Sequence, residues 1–167
     1  MVNIKIIAEV LRIGLQIDLF SKTEVIDWAD HTIETFDSPS IEIIEVSLSS
    51  NDKLVDVVSK LKNIKGTYDK KLPVKIILGL LWEEFMINEE NVLKIQPFIS
   101  DLIHNNCCEG FDYVDEQLYN FNEEINLAAD NIYGNLEDIS QEIKRFLSTY
   151  KDFSIYFHLP YGGLDDE

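Results

Sequence analysis

The sequence predicts a mainly α-helical, all-α domain. Three observations predict it. Apolar residues recur at three- and four-residue spacing through most of the chain. Short polar breaks carrying Ser, Asn, Asp, Gly or Pro interrupt that pattern every ~12–20 residues. Strict alternation is confined to one stretch near the C-terminus. The expected architecture is a single domain, 1–167, of about seven or eight helices, forming a helical bundle or a HEAT-like stack, with a short extended C-terminal segment. At 167 residues, 46% hydrophobic and 11% aromatic, the chain is long and apolar enough to bury a core. No linker, low-complexity tract or internal repeat divides it.

The first helix is expected over Asn3 to Phe20, where Ile6, Ile7, Val10, Leu11, Ile13, Ile17 and Leu19 keep a near-helical period. Ser21-Lys22-Thr23-Glu24 reads as a capping box, since the hydroxyl and the carboxylate can each satisfy an orphan N–H. The second helix then runs from about Lys22 to Phe36. Val25, Ile26, Ala29, Ile33 and Phe36 share one side of it, and Asp27, Asp30, His31, Glu34 and Asp37 the other. Pro39 disfavours helix at Ser38 and makes a turn. Ile41 to Ser47 is a short helix or, from its β-branched content, a strand.

Lys53 to Ile64 follows as an amphipathic helix that Gly66 stops. The loop Lys65–Lys71, KGTYDKK, is the only locally basic stretch. Pro73 to Asn88 is the central helix, with Pro73 at its first helical position, where a missing N–H costs nothing. It is apolar almost all round and so belongs in a core. It also marks the boundary between two halves of different charge. Val92 to Asn106 is the next helix, with Pro97 inside it. Asp112 is expected to cap a long helix reaching about Tyr133, with Ala129 and Ile132 inside its apolar period. Leu136 to Lys151 completes the helices. From Asp152 to Leu159 the period shortens, predicting a strand or extended tail.

Charge is the chain's unusual property. Its net charge is −17. Residues 1–75, with 10 Lys+Arg and 12 Asp+Glu, are near neutral; residues 76–167, with 4 and 19, carry −15. Such a chain is a poor ligand for nucleic acid or an anionic membrane, both polyanions. The longest apolar run, Ile76–Trp82, falls far short of the ~20 residues that span a bilayer. Glu9 and Arg12 interrupt the N-terminal apolar stretch, so no signal peptide is expected. Adjacent Cys107 and Cys108 suit reduced thiols in a cytoplasmic protein better than a disulfide.

The candidate sites are surfaces. Asp27, Asp30, Glu34 and Asp37 form an acidic helical stripe, either a solvated face or a dock for Lys and Arg. In the acidic half Glu83 and Glu84 close the central helix, and Asp112, Asp115, Glu116, Glu123 and Glu124 follow on the next long helix, with Glu137, Asp138 and Glu142 beyond. Glu83 and Glu84 are expected on one continuous face with the Asp112–Glu142 acids. Tyr119, with Tyr113, Tyr133, Tyr150, Tyr156 and Tyr161, adds the aromatic character of protein interfaces. These features suit either a basic protein partner or plain solubility. Asp27, His31 and Glu34, Asp101 with His104, or His104 with the cysteines have the types for a metal but not an accepted ligand pattern. No GxGxxG, P-loop, HExxH or GxSxG motif is present. No cofactor, metal or catalytic residue is assigned, and the chain is not expected to be an enzyme. The alternative of a carboxylate-site metalloenzyme stands third.

Residues 11–48 resemble small bacterial immunity proteins of toxin–immunity loci. The resemblance rests on Gly14-Leu15, on Ser21-Lys22-x-Glu24-Val25-Ile26-x-Trp28-Ala29-Asp30, on Asp37-x-Pro39, and on Glu42-Ile43-Ile44-Glu45-x-Ser47-Leu48. It implies an acidic cytoplasmic domain that blocks a toxin, often a nuclease, by tight binding. It transfers no site residue. A helical adaptor without a toxin partner is the second expectation.

Overall fold

The computed structural model describes residues 3–158. The helices are α1 (Ile4–Gln16), α2 (Lys22–Thr35), α3 (Ile41–Ser47), α4 (Leu54–Asn63), α5 (Lys71–Ile87), α6 (Val92–His104), α7 (Asp112–Ala129) and α8 (Leu136–Ser148). A 3-10 turn, Lys151–Ser154, leads into a short helix, α9 (Ile155–His158). No strand occurs among the described residues. The fold is all-α, as the periodicity predicts.

Local chemistry explains most boundaries. Ser21 makes both bonds of the capping box with Glu24 at the start of α2. Asn3, Asn91 and Asn135 cap α1, α6 and α8 by accepting from first-turn N–H groups. Ile41–Ser47 takes the helical alternative, because Ile43 and Val46, three residues apart, both reach the core.

Four expectations are corrected. Helix α5 starts at Lys71, so Pro73 is its third residue rather than its first, still within the turn whose N–H groups have no partner within the helix. The α7 cap is Phe111, and Asp112 lies inside the first turn, where its charge favours the helix dipole instead. Helix α7 ends at Ala129, because Asn131 adopts a left-handed φ of 55° and the N–H groups of Ile132 and Tyr133 both return to the Leu127 carbonyl. Ile132 is therefore 69% exposed rather than inward. The predicted extended segment is helical through His158. Phe153 and Phe157, which alternate in the sequence, are also four apart and share a helix face. Phe157 stacks on Phe20 with ring centroids 4.9 Å apart. The end of that expectation, at Leu159, lies outside the described residues.

Two apolar clusters hold the helices. Helices α2, α3 and α4 bury Val25, Ala29, Ile43, Val46, Val57 and Leu61 against one side of α1, at Ile7, Leu11 and Leu15. Helices α5 to α8 form the larger cluster, which takes Ile6, Val10, Ile13 and Ile17 from the other side of α1. Helix α4 packs back on α1 and α8 packs back on α5, so each group closes on itself. That closure is bundle geometry; an open HEAT-like stack would advance without returning. The dividing element is thus α1, not the Pro73–Asn88 helix that sequence singles out. Helix α5 is buried on nearly all sides, but within one cluster only.

Candidate protein-binding surface

One end of the α5–α8 group gathers two chain turns. Gln96 Nε2 donates to Asn126 Oδ1 at 2.6 Å, pairing the start of α6 with the end of α7. Ser140 Oγ donates to the Glu90 carbonyl at 2.8 Å, and Lys144 Nζ meets Glu90 Oε1 at 2.5 Å. These bonds bring the α5–α6 turn, the α7–α8 turn and the start of α8 together. Glu89 and Glu90 both take left-handed φ values, 56° and 60°, to make the first turn.

The end is apolar and acidic at once. Ile87 is 75% exposed and Tyr133 78%, and Met86, Leu93, Leu127 and Ile132 are exposed as well. Interspersed with them are exposed Glu89, Asp130, Glu137, Asp138 and Glu142. Lys144 of α8 is paired with Glu90. Glu124, Tyr133, Asp138 and Glu142 line a cleft of about 470 Å³ between α7 and α8. Partial burial, and then the neighbouring Glu142 carboxylate, raise the Glu124 pKa above its ordinary value. Both carboxylates line this cleft, and no Lys or Arg among the described residues lines it with them.

The sequence-predicted residues fall in four places. Glu123 and Glu124 belong to the second half of α7, near this end. Asp112, Asp115 and Glu116 begin α7, roughly 10–18 Å away along the helix at 1.5 Å per residue, and exposed Tyr119 lies between. Glu83 turns elsewhere: its Oε2 lies 2.9 Å from His158 Nε2, on the side of α5 that the C-terminal helical segment covers. Glu84 is half-buried, and its carbonyl accepts from Asn88. The expected continuous face from Glu83 to Glu142 is broken at Glu83 by the segment that the sequence reads as an extended tail. Asp27, Asp30 and Glu34 are exposed on α2, in the other cluster, and Asp30 accepts from the Ser47 hydroxyl.

Sequence reasoning missed Met86, Ile87, Leu93 and Ile132 as surface residues, because their spacing is that of helix interiors. Only the turn residues beside them, Asn88 and Gly134, signal that the helices stop there. Among the described residues, no three His, Cys, Asp or Glu side chains form a group able to hold a metal ion. Burial pushes the Cys107 thiol to about 11 and the Cys108 thiol to about 12, which removes thiolate reactivity at neutral pH. No helix among the described residues is long and apolar enough to cross a membrane.

No protein-family model matches the chain. Comparison with curated proteins and with solved structures finds no significant match either.

Proposed function

We propose that this chain is an immunity-type binding protein of the cytoplasm, which neutralises a cognate bacterial toxin by covering its active site. The observation that carries the reading is the end of the α5–α8 group, where exposed Ile87, Ile132 and Tyr133 stand among carboxylates. Interfaces draw their energy from a few apolar and aromatic anchors, and their encounter rate and specificity from charge. A nuclease toxin fits this chemistry best, because its substrate groove is basic to receive a polyanion. The carboxylates steer such a groove inward, Ile87 and Tyr133 desolvate against it, and a partner Lys or Arg enters between Glu124 and Glu142.

The test is co-expression of the chain with the product of the adjacent gene, scored for growth and for binding. The expected result is protection from a toxic product, with association slowing as salt rises. The paired substitution Ile87→Lys with Tyr133→Ala should abolish protection while the chain stays folded. A non-toxic neighbour, salt-independent binding, or full protection by the double variant would overturn the proposal.

A further inference from the structure

A second site, independent of that surface, lies on α1. Lys5, Glu9, Arg12 and Gln16 follow one another at intervals of four, three and four, so they share one side of the helix. That side is largely covered at its N-terminal end. Glu9 is only 3% exposed, Lys5 is 7% exposed, and the carboxylate takes Lys5 Nζ at 2.6 Å and Arg12 Nε at 2.7 Å. Arg12 also donates to Gln16 Oε1 at 2.7 Å.

The KGTYDKK loop is laid over this stripe. Asn3 donates to the Thr67 carbonyl, and Lys5 donates to the Lys62 carbonyl and sits over the Tyr68 ring. Gly66 makes the approach possible: at φ 146° an added Cβ would lie 2.6 Å from the Lys5 Cβ. Burial, followed by the Glu9 charge, raises the Tyr68 pKa, so the phenol keeps its proton. Between this loop, α1 and the turn after α6 is a cleft of about 550 Å³. That is within the range of small-molecule sites.

The cleft reverses the sign of the protein. Lys5, Arg12, Lys62 and Lys70 line it against Glu9 and Glu109, a surplus of two positive charges in a chain of net −17. Glu9 accounts for Lys5 and one edge of Arg12. The guanidinium has five N–H donors, and those outside its bonds to Glu9 and Gln16 have no partner among the described residues. Lys62 and Lys70 are exposed at the walls. At physiological salt, charges beyond ~8 Å are largely screened, so the acidic half does not cancel this local surplus.

We propose that this cleft binds a small oxyanion ligand, a molecule bearing a phosphate or carboxylate group, between the free edge of Arg12 and the ammonium groups of Lys62 and Lys70. Arg12 is prepositioned for it, because Glu9 and Gln16 fix the guanidinium plane before any ligand arrives. Ligand binding should tie the loop after α4 to the turn after α6 and raise the stability of the whole chain by mass action.

Isothermal titration of the full chain with inorganic pyrophosphate and separately with citrate, each against chloride at matched ionic strength, tests this. The expected result is saturable one-to-one binding of at least one of them, and the anion that binds identifies the group. The exposed pair Lys62→Ala with Lys70→Ala should weaken that binding by about tenfold or more, with an unchanged unfolding midpoint in the absence of anion. Arg12→Gln should weaken it further. Absence of saturable binding for both anions, or binding that all these variants leave intact, would overturn the proposal.

Discussion

The backbone of Gly79 lies directly against that of Ser154. A Cβ added at Gly79 would come within 2.7 Å of the Ser154 nitrogen and 2.7 Å of the Tyr150 carbonyl oxygen. A glycine in the middle of the most apolar helix therefore marks where the C-terminal 3-10 turn seats on α5. Lys75, one turn earlier on α5, covers the Phe153 ring at 5.4 Å, and Glu83, one turn later, meets His158.

The clash at Gly79 involves main-chain atoms that no rotamer change can move. Gly79→Ala gains up to about 1 kcal/mol of helix propensity, but overpacking of this kind costs about 1–3 kcal/mol. The expected net result is destabilisation, read as a lower urea midpoint, with faster proteolysis of the segment after Tyr150. A midpoint equal to or above wild type would show that the 3-10 turn can lift off α5 at little cost.

Glu9 and Lys5 form a second test. Removing one member of a buried ion pair strands the other, at a cost of about 3–5 kcal/mol, whereas replacing both with apolar groups is far milder. Glu9→Ala should therefore be strongly destabilising, and Lys5→Met combined with Glu9→Leu should recover most of the loss in urea denaturation. A double variant as unstable as Glu9→Ala would show that Arg12 and Tyr68, not Lys5, set the requirement for the carboxylate.

Cys107 and Cys108 should be silent in the folded chain. Their pKa values of about 11 and about 12 come first from burial. Because the folded value lies above the ordinary 9.0, the folded state holds the proton more firmly. The associated stability is present below about pH 9 and is lost as pH rises towards 11. At pH 8 a thiol reagent should react slowly with native protein and rapidly with both cysteines in urea. Fast reaction of the native chain would place the turn after α6 in frequent local opening.

What the sequence reveals depends on how local the cause is. The capping box at Ser21 and Glu24 is legible because four adjacent residues contain the whole interaction. The α5 core is legible because no polar face competes with burial. The end of α7 is not, since Ile132 continues the apolar period and only the left-handed Asn131, a backbone choice, turns it outward. The C-terminal segment misleads for a related reason: Phe153, Ile155 and Phe157 satisfy period two, and the seat on Gly79 that selects the helix lies 74 residues earlier. The α1 stripe at positions 5, 9, 12 and 16 goes unrecognised in the sequence, because Glu9 and Arg12 read only as interruptions of an apolar stretch. Its burial is not legible either, because the covering loop is polar and its docking depends on Gly66 meeting Lys5.

Glu124 and Glu142 give opposite pH signs for stability and for binding. The Glu124 pKa is raised in the folded chain by burial and by Glu142. The folded state thus binds that proton more tightly than the unfolded state, and its contribution to stability falls as pH rises through the raised value. Glu124→Gln should stabilise the free protein at pH 7 by a few tenths of a kcal/mol, since solvent screens most of the repulsion. The gain should shrink at pH 4 and in high salt. A partner cation seated between the two carboxylates reverses the balance, because it needs both of them ionised. Affinity for a basic partner should then rise between pH 4 and pH 7, over the interval in which the Glu124 contribution to the stability of the free chain falls, and Glu124→Gln should flatten that contribution and the binding profile. A variant that flattens the stability profile and leaves the binding profile unchanged would place the partner's cation elsewhere on the chain.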